Sequence, residues 1–382
     1  MAMRVLIAAG GTGGHIYPGI AVAKEVMRRA PESHVRFVGT ARGLETKLVP
    51  KAGFELSLIE SAGLKNVGLG ARVRGLMLLP KSFFAARRLI RELRPDIVVG
   101  AGGYVSGPVL LTAAMLGVRT LVMESNALPG FTNRRLARFV DRAAVTFEAA
   151  LPYFRGKGVV TGNPVRREFF DIPPKSRDAT RFSLLVFGGS QGARAINEGL
   201  IAALPHLEAV RDRLRITHQT GEADFEKVSA GYLGAGWGEQ ADVRRYIDDM
   251  VAEFAAADLI VCRAGATTSA ELVAAGKAAI MIPFPQAADD HQRKNAEALE
   301  AAGAARMILQ HDLTGERLAQ EISALVRAPE DLTRMEEASR KLARGDAAAA
   351  AVDLMEELIG SSQKSEVSKS RGQNPGARSQ NG

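Results

Sequence analysis

Arg4-Val5-Leu6-Ile7-Ala8-Ala9-Gly10-Gly11-Thr12-Gly13-Gly14-His15-Ile16-Tyr17-Pro18-Gly19 is the stretch on which the fold turns. Arg4 to Ala8 is a short apolar run that predicts a first β-strand, and Ile20 to Val26 predicts a helix. A strand, a glycine turn and a helix start create a place where backbone N–H groups face an anion. The turn ends in His15, a titratable imidazole that a plain nucleotide-binding loop does not carry. The bland alternative is a tight turn that needs glycine for positive φ, with His15 as an ordinary helix-start residue. Five glycine or threonine residues closing on a histidine favour phosphate handling combined with proton transfer.

Working outward, short β-type runs alternate with longer helical stretches. Val35–Val38, Leu56–Ile59, Ile97–Val99, Thr120–Met123 and Ala143–Thr146 read as strands, with helices over Glu45–Lys51, Lys81–Leu93 and Val109–Leu116. The rhythm restarts at Ser183-Leu184-Leu185-Val186-Phe187, followed by Gly188-Gly189-Ser190-Gln191-Gly192-Ala193-Arg194. Later strands are expected at Arg215–Gln219, Val243–Tyr246, Leu259–Cys262, Ala279–Ile282 and Ala305–Ile308. This is an α/β pattern of two doubly wound parallel sheets, each opening with a strand and a glycine loop and joined near 164–174. Ligands of open α/β sheets sit at the carboxyl ends of the strands, so two facing units imply a cleft between them.

The chain has 382 residues, 46% apolar and 24% charged, which suits two globular domains. One cysteine, Cys262, excludes an intrachain disulfide and fits a reducing compartment. No apolar run is long enough to span a bilayer, and the N-terminus reads as a strand, without a signal peptide. A net charge of +8 favours phosphorylated ligands or anionic lipid. Few aromatics and no nucleic-acid-binding signature argue against nucleic acid. No metal-binding spacing and no nucleophile elbow occur, so neither a metal nor another cofactor is expected.

Four further stretches carry chemistry. Arg263-Ala264-Gly265-Ala266-Thr267-Thr268-Ser269-Ala270-Glu271 follows a strand and lets a helix start approach a ligand; Glu271 either accepts two vicinal ribose hydroxyls or complements the helix dipole. Gly100-Ala101-Gly102-Gly103-Tyr104-Val105-Ser106-Gly107-Pro108 reads as a wide turn against a bulky substrate or as plain loop geometry. Glu124-Ser125-Asn126 offers a carboxylate and an amide at another strand end, Glu124 serving as structural partner or proton acceptor. Residues 61–91 hold no Asp or Glu but carry Lys65, Arg72, Arg74, Lys81, Arg87, Arg88 and Arg91 among apolar residues. An ordinary amphipathic helix explains part of that pattern; the absence of acids points to an anionic membrane surface.

Together with Gly162-Asn163-Pro164-Val165-Arg166 and Tyr246-Ile247-Asp248-Asp249-Met250, these motifs resemble the MurG family, from about residue 3 to 360. The family often has Gln where this chain has Ser125, and the stretch after Ser361 looks like an extension. The resemblance implies the GT-B glycosyltransferase fold. It implies an acceptor- and membrane-facing unit at 1–162, a UDP-GlcNAc-binding unit at 163–344 and a final helix at about 345–360 packing back on the first unit; the tail at 361–382, polar with almost no apolar residues, reads by composition as disordered. It implies inverting transfer of N-acetylglucosamine from UDP-GlcNAc to the C4 hydroxyl of the muramyl sugar of undecaprenyl-linked lipid I, giving lipid II for peptidoglycan. His15 would be the base, with Glu124 as runner-up. Ser190, Arg166, Ile247, Ala266, Thr267, Thr268, Ser269, Ala270, Glu271 and Gln292 would hold the donor, and Thr12, Gly13, Gly14 and Asn126 would close on it. Gly103, Tyr104 and Ser106 would face the acceptor. The enzyme would sit peripherally on the cytoplasmic face of the cell membrane, bound to anionic lipid through 61–91, with cell-wall and division proteins as further partners. The rival readings are another GT-B enzyme acting on UDP-GlcNAc, such as a 2-epimerase or a glycolipid glycosyltransferase, and a non-catalytic cell-wall scaffold.

Overall fold

The computed structural model describes residues 1–382 apart from 12, 42, 62–68, 178–179, 190–191 and 373–382, with backbone alone at 69–77, 79, 288 and 362–372. Thr12, Ser190 and Lys65 thus lie outside the described residues, as do the side chains of Arg72 and Arg74.

The first half builds a seven-stranded parallel sheet. Its strands are β1 (Arg4–Ala9), β2 (His34–Gly39), β3 (Glu55–Leu58), β4 (Ile97–Gly102), β5 (Arg119–Glu124), β6 (Arg142–Val145) and β7 (Gly158–Val160), in the order β3-β2-β1-β4-β5-β6-β7. The helices here are α1 (Gly13–Arg29), α2 (Glu45–Lys51), α3 (Leu69–Leu93), α4 (Ser106–Met115) and α5 (Phe131–Leu136). The second half builds a six-stranded parallel sheet in the order β10-β9-β8-β11-β12-β13. Its strands are β8 (Phe182–Phe187), β9 (Leu214–Gln219), β10 (Ala241–Arg244), β11 (Leu259–Cys262), β12 (Ala279–Met281) and β13 (Ala305–Met307). Its helices are α6 (Arg194–Ala203), α7 (Phe225–Gly234), α8 (Met250–Ala256), α9 (Ala266–Ala275), α10 (His291–Ala301), α11 (Gly315–Arg327) and α12 (Pro329–Leu342). Both sheets are covered by apolar side chains on their two faces, as parallel sheets require.

Chain order reverses between β1 and β4 in one sheet and between β8 and β11 in the other. Each reversal leaves a crevice at the strand carboxyl ends. Those four strands are the ones followed by the glycine- and small-residue turns, so the sequence motifs converge on two crevices.

Five elements differ from expectation. Gly100, Ala101 and Gly102 continue β4 and do not form a loop, because a side chain at Gly100 would overlap Leu110 of the covering helix. Helix α3 starts at Leu69, well before Lys81, and tolerates Pro80 inside it. Strand β10 ends at Arg244, with Tyr246 beyond the pairing, and the short edge strand β7 had no strong apolar signal. The last helix, α13 (Ala347–Gly372), continues past 360 into the expected disordered tail. Once a helix is nucleated by tertiary packing, each further residue adds a hydrogen bond at little cost. Its apolar side, including Val352 and Met355, packs with Val5, Ile7 and Ile20 of the first sheet and α1. Arg29 of α1 pins it through Asp353 at 2.6 Å and Glu356 at 3.1 Å.

Candidate active site

His15 is the third residue of α1 and half-buried. One ring N–H donates to the backbone carbonyl of Ala101 in β4. Burial lowers its pKa, the nearby His291 lowers it further, and the Ala101 contact works in the opposite direction. His15 is therefore neutral at pH 7, the form that accepts a proton. Two glycines of the neighbouring strand end make this position possible. Gly102, at φ +119°, carries no side chain where one would overlap the imidazole; Gly103, at φ +82°, lies against the carbonyl of Gly10.

The glycine turn after β1 is held by a residue that sequence reasoning gave no role. The Glu45 carboxylate, wholly buried, accepts from the Gly11 N–H at 2.9 Å and from the Thr40 N–H and hydroxyl, each at 2.8 Å. Burial opposes its charge, but these donors prevail and keep its pKa below the usual value. The turn's conformation is thus fixed from within, and the Gly11 N–H is already spent. A lone Glu in a helix start gives no sequence signal for this.

Glu124 ends β5 and is 4% exposed. One oxygen accepts from the Asn126 N–H (2.9 Å) and side-chain amide (3.1 Å); the other accepts from Gly130 N–H (3.0 Å) and Asn133 (2.9 Å). Four N–H donors fill the lone pairs of one carboxylate. Burial raises its pKa against those four donors. Through these bonds Glu124 organises the 124–133 loop. Ser106 is likewise buried, its hydroxyl within 2.9 Å of the Ala8 carbonyl and 2.8 Å of the Gly102 carbonyl, so it ties β1 to β4. Tyr104, 59% exposed, does reach the surface there.

The two units meet through Asn295 of α10, which has no solvent exposure. Its oxygen accepts from Ala127 N–H at 2.9 Å, and its amide donates to Asn126 at 3.2 Å and to the Ala264 carbonyl at 3.1 Å. Arg134 adds an ion pair with Asp289 at 3.4 Å. Asp289 and Asp290, both at φ 56°, occupy the left-handed region immediately before His291 and Gln292. Two consecutive non-glycine residues there store of the order of 1–3 kcal/mol each, held by the surrounding contacts. Gln292 accepts from Phe284 N–H at 3.0 Å. Asn295 lies one helical turn beyond Gln292, a spacing the sequence displays, though nothing in it marks the amide as the bridge.

In the second unit, α9 begins at the end of β11 with Gly265 as its N-cap. Ala266, Thr267, Thr268 and Glu271 reach the surface, whereas Ser269 and Ala270 are buried. At 100° per residue, 268 and 271 share a face that 269 and 270 do not. The side chains of Ser269 and Ala270 line a cavity of about 440 Å³ with Val273 and Asn163. Burial raises Glu271 to a pKa of about 7, against the lowering effect of Arg166 beside it. The Arg166 guanidinium also lies 5.0 Å over the Phe169 ring. Buried Gln219, the last residue of β9, donates to the Gly189 carbonyl at 2.9 Å and accepts from Ile247 N–H at 2.7 Å. The Ile247 N–H is therefore engaged within the protein. Among the described residues, no group of three or more His, Cys, Asp and Glu side chains comes together to hold a metal.

Two nucleotide-type crevices on facing parallel sheets, one carrying a neutral imidazole and the other an arginine and a carboxylate, make up the fold of GT-B glycosyltransferases. The glycosyltransferase family 28 N-terminal domain matches residues 5–145 and the family 28 C-terminal domain matches residues 183–357. The UDP-N-acetylglucosamine--N-acetylmuramyl-(pentapeptide) pyrophosphoryl-undecaprenol N-acetylglucosamine transferase of Citrifermentans bemidjiense is 50% identical over 357 residues, 92% of this chain and 99% of that protein. Its namesake from Anaeromyxobacter sp. (strain Fw109-5) is 51% identical over 360 residues, 94% of each chain. The crystal structure of Acinetobacter baumannii MurG superposes with a TM-score of 0.79 at 34% identity, covering 93% of this chain and 99% of that one. The chain belongs to the MurG family of these transferases.

Proposed function

We propose that this chain transfers N-acetylglucosamine from UDP-GlcNAc to the C4 hydroxyl of the muramyl sugar of undecaprenyl-linked lipid I. The observation that carries the reading is a neutral His15 on the first unit, close enough to His291 at the start of α10 to feel its charge, with Asn126 and Asn295 bridging the two units. In this reading, the first unit (1–162) takes the acceptor, the second (163–344) takes the donor, and α13 returns to the first.

The acceptor hydroxyl oxygen forms a bond to the anomeric carbon from the face opposite UDP. The bond to the β-phosphate oxygen breaks, its electron pair leaves with UDP, and the hydroxyl proton passes to His15. That displacement inverts the anomeric centre. Proton transfer to a placed imidazole contributes about 10²–10⁴-fold. The negative charge on the leaving diphosphate meets Arg166 and the N–H groups at the starts of α6 and α9. Glu271 takes the ribose hydroxyls, and Gln292 the sugar hydroxyls. Ser190 and Thr12 belong to the same donor contacts, and Gly13, Gly14 and Asn126 close the cleft.

We further propose that the first unit docks on the cytoplasmic face of the membrane, where the lipid carrier stays. No described helix is long and apolar enough to cross a membrane. The described part of α3 buries Ser82, Ala86, Leu89 and Ile90 and exposes Lys81, Arg87, Arg88 and Arg91 around Phe84, which is 72% exposed. Cations around a protruding aromatic suit an anionic interface. Cell-wall and division proteins remain expected partners of the protein. Transfer of labelled GlcNAc to a short-chain lipid I analogue tests the reaction; label released equally without acceptor refutes it. Flotation with anionic liposomes tests the docking face, and retention by the F84A/R87E/R88E variant at wild-type level overturns it.

A further inference from the structure

Gln219 touches both the glycine turn after β8 and the segment after β10. It sits at the end of β9, in register with Phe187 on one side and Arg244 on the other. It is 1% exposed, so it meets no ligand itself. Its amide is used at both ends: Nε2 donates to the Gly189 carbonyl at 2.9 Å, and Oε1 accepts from the Ile247 N–H at 2.7 Å. A planar amide bonded at both ends is a rigid strut between the two segments. Gly189 stands at φ +99°, a conformation that the strut helps to hold.

We infer that Gln219 is a positioning residue for the donor nucleotide, setting the diphosphate-side turn and the base-side segment at the separation a uridine diphosphate needs. The inference rests on the reading of the second unit as the donor site. A nucleoside diphosphate carries its base and its diphosphate on opposite sides of one ribose. Contacts to both ends form together only if the two protein segments are already correctly spaced. Preorganisation of this kind raises affinity by removing an ordering cost at binding. The strut also defines what the base meets. With its N–H engaged by Gln219, Ile247 offers a base its carbonyl. A carbonyl accepts from the N3–H of uracil and repels the N3 lone pair of cytosine.

Two variants of the full chain separate this role from a merely structural one. In Gln219→Glu, an oxygen still accepts from Ile247 N–H, but the donor to Gly189 is replaced by a repelling oxygen. In Gln219→Leu both ends are lost. The affinities of UDP, UMP and CDP, measured by calorimetry, give two ratios. UDP over UMP reports the diphosphate turn, and UDP over CDP reports the base segment. For Gln219→Glu we expect UDP over UMP to fall about tenfold, with UDP over CDP unchanged, since one lost buried hydrogen bond is an effect of this order. For Gln219→Leu both ratios fall. If all three ligands weaken by a common factor, or if neither ratio moves in either variant, the strut is structural only and the inference is overturned. Should Gln219→Leu fail to fold, Gln219→Glu decides alone through its two ratios. A wild-type chain that does not bind UDP overturns the donor-site reading, and this inference with it.

Discussion

Donor affinity should depend on pH through Glu271. Its carboxyl is raised from the ordinary carboxylate range to a pKa of about 7, chiefly by burial. An acid with a raised pKa is protonated below that value and ionised above it. The ionised form accepts from both ribose hydroxyls, whereas a protonated carboxyl has lost half of that capacity. With a pKa near 7, about a tenth of the molecules are ionised at pH 6 and about nine-tenths at pH 8. Apparent dissociation constants scale inversely with the competent fraction, so the Kd for the donor should fall by about tenfold from pH 6 to pH 8. The assay is calorimetric titration with UDP-GlcNAc. UDP is unsuitable, because a terminal phosphate itself ionises near pH 6. The partner measurement is Glu271→Gln, which keeps the shape and cannot ionise. It should bind more weakly at pH 8 and show a flat profile. Any slope that remains in Glu271→Gln belongs to other groups. Equal slopes in the two proteins would refute the assignment of the pH dependence to this carboxylate.

Four other outcomes follow from the same geometry. His15→Gln should lower kcat by about 10²–10⁴-fold while leaving the Kd for UDP-GlcNAc within about threefold, read by label transfer and calorimetry. His291→Gln removes one of the influences that lower the His15 pKa, so the acid limb of the kcat/KM profile should move to higher pH. Gly102→Ala must displace the imidazole and adopt φ +119° with a side chain; a stability loss of about 1–3 kcal/mol in chemical denaturation should accompany a fall in kcat. Glu45→Gln leaves one of three inward donors facing an amide NH₂ inside a sealed site, and a loss of about 2–4 kcal/mol is expected in the same assay.

The strands of both sheets were legible because parallel strands buried on two faces are continuous apolar runs, as in Val5 to Ala8 and Leu184 to Phe187. The two glycine turns were legible as strand-to-helix turns, and His15 stood out because nothing in a plain turn calls for an imidazole. Function was legible mainly through the resemblance, since each loop alone admits a bland explanation. What stayed hidden were residues whose roles arise from distant partners. Glu45 meets Gly11 and Thr40, and Asn295 meets Asn126, 169 positions away. Gln219 meets Gly189 and Ile247 from a third strand. Glu124 was visible as a carboxylate at a strand end, but its four donors were not. The burial of Ser269 and Ala270 beside partly exposed Thr268 and Glu271 was hidden because a motif read as a string ignores the 100° turn per residue of the helix it folds into.

The return of α13 has a consequence for how the chain comes into being. Val352, Leu354, Met355, Leu358 and Ile359 complete the core that Met3 to Ala9 begins. Burying such side chains contributes about 1.5–3 kcal/mol each, an upper bound of about 15 kcal/mol for the five, comparable with the whole stability of an ordinary domain. The half of the protein that leaves the ribosome first is therefore finished last. It waits through the synthesis of the entire second half with an apolar face uncovered. Any chain cut short before residue 350 has a first half that, though fully translated, lacks the side chains that complete its core.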